Sequence, residues 1–282
     1  MRTLKVLIVV TVCSLAAVIG FMMGNGIIVF GNGQSLPNSG LGTQGDPTFA
    51  GDTHWNVLGV VVRNIDVEIG GNRAQISMNS RDVSVARARF YDLERTLNTM
   101  PNGRMSATVS TIVINTPLRA MTAIRTTMGT RGYAASPRQI SYLVAQYVNV
   151  SQFDHIMMFV RSQAQDAPFS VPTNWAGLYQ GQLYGVHFSQ VLFSQNLYCT
   201  WHTNAVFPER ILVHEFAHGL EHIGRSNGDP LPSSIDAPRS NYGYGNTQAE
   251  RFRFYSDFFN GNIRTPDGRT LGLSPESFMR IR

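Results

Sequence analysis

Lysine is almost absent from this 282-residue chain, since Lys5 is its only lysine. The formal net charge of +5 therefore comes almost wholly from arginine, and charged residues make up only 15% of the sequence. The arginines are scattered and form no run of five or six, so the charge pattern predicts no nucleic-acid partner. The length and the 43% hydrophobic content are those of a globular protein with a sizeable buried core.

Cysteine is also scarce, with only Cys13 and Cys199. Two cysteines cannot build a disulfide framework, and they exclude a zinc site made of cysteine. Any bound metal must therefore be held by histidine and carboxylate side chains. Only seven histidines are present, and three of them lie in the stretch VHEFAHGLEHIG, residues 213–224.

The N-terminus combines a basic start with a long apolar run. Arg2 and Lys5 precede apolar residues that continue to about residue 30. This pattern predicts a signal peptide or an N-terminal membrane anchor over residues 1–31, and the two alternatives stay open because no A-x-A cleavage site is present. A Gly/Ser/Pro-rich linker follows at 32–53. We expect a secreted or extracytoplasmic protein, with any membrane contact made through the N-terminal segment.

The remainder, residues 54–282, reads as one folded domain of strands and helices. A loop is expected at 163–182, and the last helix is expected to run from Thr247 to about Phe259. The HEFAH helix should begin at Pro208 and end at Gly224. The order of elements predicts an α+β fold, an α/β sandwich with a mixed sheet. The apolar patterns predict strands at 57–69, 107–115, 154–162 and 183–193, and helices at 82–97 and after the capping box Ser136–Gln139.

The HEFAH stretch has the spacing of a zinc site. His214 and His218 are four residues apart, so a helix places them one turn apart on the same face, where two imidazoles can share one zinc ion. Glu215, beside the first histidine, is where a general base could act on a water molecule. The other face of the helix is apolar and can be buried against the core, through Leu212, Phe216, Leu220 and Ile223.

With these residues the chain resembles the zincin-type zinc metallopeptidases. The resemblance rests on HEFAH and on the strand-rich segment before it. It implies a bound Zn2+, a peptide or protein substrate, and a cleft between a sandwich (54–224) and a smaller C-terminal subdomain (225–282). It also implies that the strand at 183–191 could present its edge to an extended substrate. The third histidine of the metzincin pattern would fall at Gly224, so the likeness is to the glu- and aspzincins.

The third metal ligand is not fixed by the motif. His222 lies about 12 Å along a continuous helix from His214, too far to share its zinc. The remaining candidates are carboxylates: Asp236, in a loop that could fold back over the cleft, then Asp229 and Glu250. All three stay open, although Glu250 also has the spacing of a helix cap.

Four further residues are candidates for supporting roles. Glu221 lies on the zinc face, one turn past His218, and is suited to hydrogen-bond a ligand or the downstream loop. Asp257 could support a ligand in the same way. Tyr242 and Tyr244 could donate a hydrogen bond to the developing oxyanion, or could simply pack as loop aromatics.

The function predicted from the sequence is that of a zinc-dependent metallopeptidase in which Glu215 activates the attacking water. One alternative is a secreted binding or adhesion module with a structural or inactive zinc site. Another is a zinc hydrolase of a non-peptide substrate, since the metal-water chemistry is shared.

Overall fold

The computed structural model describes residues 53–125, 131–163, 168–173, 175–193 and 210–279. The predicted signal peptide or anchor, nearly all of the linker, Pro208 and both cysteines lie outside the described residues. Within these residues, no helix is both long and apolar enough to cross a membrane.

The described chain contains eleven β-strands and four α-helices. The strands are β1 (His54–Val62), β2 (Asn64–Ile69), β3 (Asn72–Ser77), β4 (Ser106–Ile114), β5 (Thr122–Arg125), β6 (Arg131–Ala134), β7 (His155–Val160), β8 (Gly177–Leu183), β9 (Val186–Leu192), β10 (Ile263–Arg264) and β11 (Thr270–Leu271). The helices are α1 (Ser80–Thr99), α2 (Pro137–Ala145), α3 (Arg210–Asn227) and α4 (Gln248–Asn260). The fold is therefore α+β, as the sequence predicts.

Side-chain caps set the starts of three helices. Ser136 and Gln139 form the predicted capping box of α2, and the Thr247 hydroxyl accepts from the Glu250 amide at the start of α4. The bounds of two helices differ from the prediction. Helix α1 begins at Ser80, two residues before residue 82, because Asn79 is its N-cap and Asp82 is the third helical residue of the same capping box. Helix α3 continues past Gly224 to Asn227.

Five strands form one mixed sheet in the order β4-β1-β7-β9-β8. The first four are parallel to one another, whereas β8 runs antiparallel to β9 and forms one edge. Every residue of β7 is buried, which agrees with its central position and with its continuous apolar sequence.

Three predictions about the strands were wrong. The run at 57–69 is two strands: β1 stays in the main sheet, while β2 leaves it and pairs with β3 in a separate hairpin closed by Gly70 and Gly71. The loop predicted at 163–182 contains β8. Its glycines weaken the strand signal, and Gly181 has φ +93° at a bulge in the pairing with β9. The strand predicted to present its edge is β9, which is paired on both sides, so the edge belongs to β8.

Two hydrophobic cores lie on opposite faces of the sheet. One is shared with α1, α3 and α4, and includes Val57, Phe90, Met157, Phe216, Leu220, Phe254 and Phe258. The other lies under the β2–β3 hairpin and α2, and includes Leu58, Val60, Ile76, Ile140, Met158 and Phe188. Residues of the predicted C-terminal subdomain (225–282) thus belong to the first core, which fixes them relative to α3.

Candidate metal centre

Helix α3 presents two histidines side by side. His214 and His218 have ring centroids 4.7 Å apart, and their side chains are 16% and 15% exposed. The helix is held in this orientation by the buried face opposite the histidines. That face consists of Leu212, Phe216 and Leu220, each at most 1% exposed.

The loop after α3 brings a carboxylate to both imidazoles. The Oδ1 atom of Asp236 lies 3.1 Å from Nε2 of His214, and its Oδ2 atom lies 3.6 Å from Nε2 of His218. One donor atom from each of the three residues lies within 4.8 Å of the others, so this cluster could hold a metal ion. Two imidazole nitrogens and a carboxylate oxygen are ligands that zinc accepts, and a fourth position would stay open. The bonds from His214 and His218 hold the pKa of Asp236 far below its ordinary value.

Glu215 is buried beside this cluster. Its carboxylate lies 3.9 Å from Nε2 of His214 and accepts a hydrogen bond from the backbone N–H of Tyr179 in β8. A Cβ atom on Gly177 would come within 2.1 Å of its Oε1 atom, so the absence of a side chain there makes room for the acid. Burial, with a smaller contribution from Asp236, raises the pKa of Glu215 to about 8.

Behind His218, Glu221 links the helix to the loop. Its Oε2 atom lies 3.0 Å from Nδ1 of His218, and its Oε1 atom accepts from the backbone N–H of Ile235 at 3.3 Å. Arg225 donates to the same Oε1 at 2.5 Å and to the carbonyl of Ser233 at 2.8 Å. Burial alone would lower the pKa of His218, but the bonds to Asp236 and Glu221 raise it to about 9. Glu221 thus contacts both partners that its position in the sequence suggested.

Two residues that the sequence did not single out lie behind His214, where the first contacts the histidine and the second contacts the first. The hydroxyl of Tyr255 lies 2.8 Å from Nδ1 of His214, and Arg239 donates to the same hydroxyl at 2.8 Å. Tyr255 is fully buried in the aromatic face of α4, and burial raises its pKa to about 12. A buried tyrosine needs a hydrogen-bond partner for its hydroxyl, and that requirement was the one signal by which the sequence could have indicated a role for Tyr255. No sequence signal identifies Arg239.

The two alternative carboxylate ligands are engaged elsewhere. Asp229 accepts from the Ser274 amide at 3.0 Å and from the Ser277 hydroxyl at 2.6 Å, and so fastens the C-terminal segment. Glu250 accepts from the Gly245 amide at 3.2 Å, near the start of α4. Neither belongs to the cluster of His214, His218 and Asp236.

The candidate oxyanion donors also have other partners. The Tyr244 hydroxyl donates to Asp257 at 2.7 Å, so these two predicted site residues pair with each other. The Tyr242 hydroxyl accepts from the Ser233 amide at 3.2 Å. Their observed bonds are those of groups that hold the loop and α4, which is the alternative role considered for the tyrosines.

Three further histidines of the described chain lie on or near α3. His187 is buried, and its Nδ1 atom lies 2.8 Å from the Tyr179 hydroxyl. His155 is buried beside it and contacts the Ser189 hydroxyl at 2.8 Å. His222 is exposed, with its ring 6.1 Å from that of His187. None of the three belongs to the metal cluster.

The chain matches no protein-family model, and neither its sequence nor its fold has a significant match among curated proteins and solved structures.

Proposed function

We propose that this chain is a zinc-dependent metallopeptidase. The observation that carries the proposal is the convergence of His214, His218 and Asp236 on one point, with the buried Glu215 beside them. Three protein ligands with an open fourth position are typical of catalytic zinc sites, whereas structural sites are closed by four. The zincin resemblance of the sequence adds to this support.

The proposed chemistry divides between the metal and the protein. Zinc, when bound, would polarise a water molecule and the substrate carbonyl. Glu215 accepts the proton of the attacking water and passes it to the leaving amine. Burial raises the pKa of Glu215 to about 8. A neighbouring dication favours the carboxylate form, which is the form that can accept a proton.

The position of β8 supports a peptide as the substrate. This strand ends the sheet, and within the described part of the chain no strand pairs with its outer side. An extended peptide could add to that edge through main-chain hydrogen bonds. Glu215 lies against Gly177 and Tyr179 of this strand, so a peptide paired there would pass beside the general base.

The proposal is tested by comparing the zinc-loaded protein with its Glu215→Gln variant on a mixed peptide library, with products read by mass spectrometry. The glutamine keeps the shape of the side chain but cannot accept the proton, so cleavage should be lost while one zinc remains bound. The cut sites from the parent protein would define its specificity.

Two outcomes would contradict the proposal. Equal cleavage by both proteins would exclude Glu215 as the base. No cleavage by either, with zinc still bound, would favour a binding module or a zinc hydrolase of another substrate class.

A further inference from the structure

We propose that Tyr255 and Arg239 act as one positioning unit, which locks His214 to the loop that carries Asp236 and so sets the affinity for the metal. The inference rests on the proposed zinc site, but it concerns residues outside the ligand set. It predicts that a single phenol oxygen, which does not touch the metal, controls the positions of two of the three ligands.

The first step is the hydrogen bonding of that oxygen. If Nε2 of His214 faces the metal, the neutral imidazole carries its proton on Nδ1 and donates it to the Tyr255 hydroxyl, 2.8 Å away. Arg239 has only donors, so it also donates to this oxygen, at 2.8 Å. The phenol oxygen therefore accepts from both sides. Because Tyr255 is 0% exposed, bulk water cannot replace either bond.

The second step connects Arg239 to Asp236. Arg239 begins a 3-10 helix, Arg239–Tyr242, only three residues after Asp236. Its guanidinium lies over the rings of Phe254 and Tyr255, at 5.3 and 5.4 Å from their centroids. The Nη2 atom of Arg239 donates to the Tyr255 hydroxyl, whereas its Nε atom is buried without a partner among the described residues. The C-terminal end of the Asp236 loop is thereby attached to α4.

The third step is the matching arrangement at the other histidine. There Glu221 contacts His218 and the backbone of Ile235, while Arg225 donates to Glu221 and to a loop carbonyl. Each imidazole thus contacts an oxygen of a side chain that an arginine also binds. In Tyr255 the histidine and the arginine share one oxygen, whereas in Glu221 they contact different carboxylate oxygens. The two arginines hold the loop on either side of Asp236.

The consequence is a dependence of metal affinity on Tyr255. Residues that orient a ligand from behind change metal affinity by roughly 10–100-fold when they are replaced. We therefore expect Tyr255→Phe to weaken zinc binding by about this factor. Arg239→Met keeps the apolar stacking but removes the donor, and should weaken binding similarly.

The experiment is a double-mutant cycle on the full chain. Zinc dissociation constants are measured by competition with a chromophoric chelator for the parent, Tyr255→Phe, Arg239→Met and the double variant. Groups that act through one oxygen should not be additive, so the double variant should bind zinc about as weakly as the weaker single variant. The visible absorption of bound Co2+ should change in all three variants, because it reports the ligand geometry. Tyr147→Phe is the matched control, since its phenol is hydrogen-bonded to Thr116 on the surface.

Two results would overturn the inference. One is unchanged zinc affinity in Tyr255→Phe, and the other is a double variant whose loss equals the product of the single losses. If Tyr255→Phe does not fold in the presence of chelator, Arg239→Met tests the same bond from its half-buried side. A parent protein that binds no zinc would instead contradict the metal site itself.

Discussion

A single methyl group on Gly177 should displace the Glu215 carboxylate and leave the proposed metal ligands in place. A Cβ atom there would lie 2.1 Å from Oε1 and 2.7 Å from Cδ of Glu215, whereas ordinary contacts begin near 3.4 Å. The carboxylate of Gly177→Ala must therefore retreat by about 1 Å, and a displacement of that size costs about 100-fold in rate. This loss corresponds to about 2.7 kcal/mol of transition-state stabilisation.

The assay measures kcat on a peptide identified from the library, together with the zinc content of the purified protein. We expect kcat to fall about 100-fold while zinc content stays at the parental level, because the three atoms nearest the new methyl group all belong to Glu215. Gly245→Ala is the control, since its Cβ would meet nothing closer than 3.5 Å. A Gly177→Ala protein with parental kcat would refute the placement of the base against β8.

Two further predictions concern the third ligand and the buried histidines. Asp236→Asn should weaken zinc binding at least tenfold. Asp229→Asn should leave zinc affinity unchanged and lower the free energy of unfolding by about 1–3 kcal/mol, because it disturbs two hydrogen bonds. The reverse pattern would make Asp229 the ligand. Burial, aided by His222, lowers the pKa of His187 to about 4 from its ordinary 6.5, so as the pH falls the unfolded chain takes up a proton first. The free energy of unfolding should therefore fall by about 3 kcal/mol as the pH is lowered from about 6.5 to 4. In chelator-treated samples, His187→Phe should make this fall smaller. An unchanged dependence of the free energy of unfolding on pH would contradict the buried neutral state of His187.

The sequence predicts the parts of the site that depend on local periodicity. Spacing alone places His214 and His218 on one face of a helix, and the same periodicity indicates which face is buried. Glu221, one turn further on, is placed correctly by the same reasoning. These predictions succeed because an amphipathic helix has one strong repeat and a defined orientation toward the core.

Long-range contacts account for what the sequence leaves open. Asp236 and Asp229 are both acids in one polar segment, and bonds between distant residues determine which of them reaches the histidines. The residues that make these bonds include Glu221, Arg225 and Arg239 around Asp236, and Ser274 and Ser277 at Asp229. Tyr255 lies 41 residues from the histidine that it contacts. Strand β8 was missed because its glycines weaken the strand signal. One of them, Gly177, makes room for Glu215.

The attachment of the Asp236 loop at both ends has a consequence for metal exchange. Arg225 and Arg239 fasten this loop through hydrogen bonds to protein groups on either side of Asp236, so these bonds help to position its carboxylate. The Asp236 side chain is 53% exposed, which opens the cluster to solvent on that side. An ion could therefore enter or leave without unfolding the loop, and a chelator should strip the site reversibly. If the site binds zinc as proposed, its occupancy should therefore follow the free zinc concentration of the surroundings.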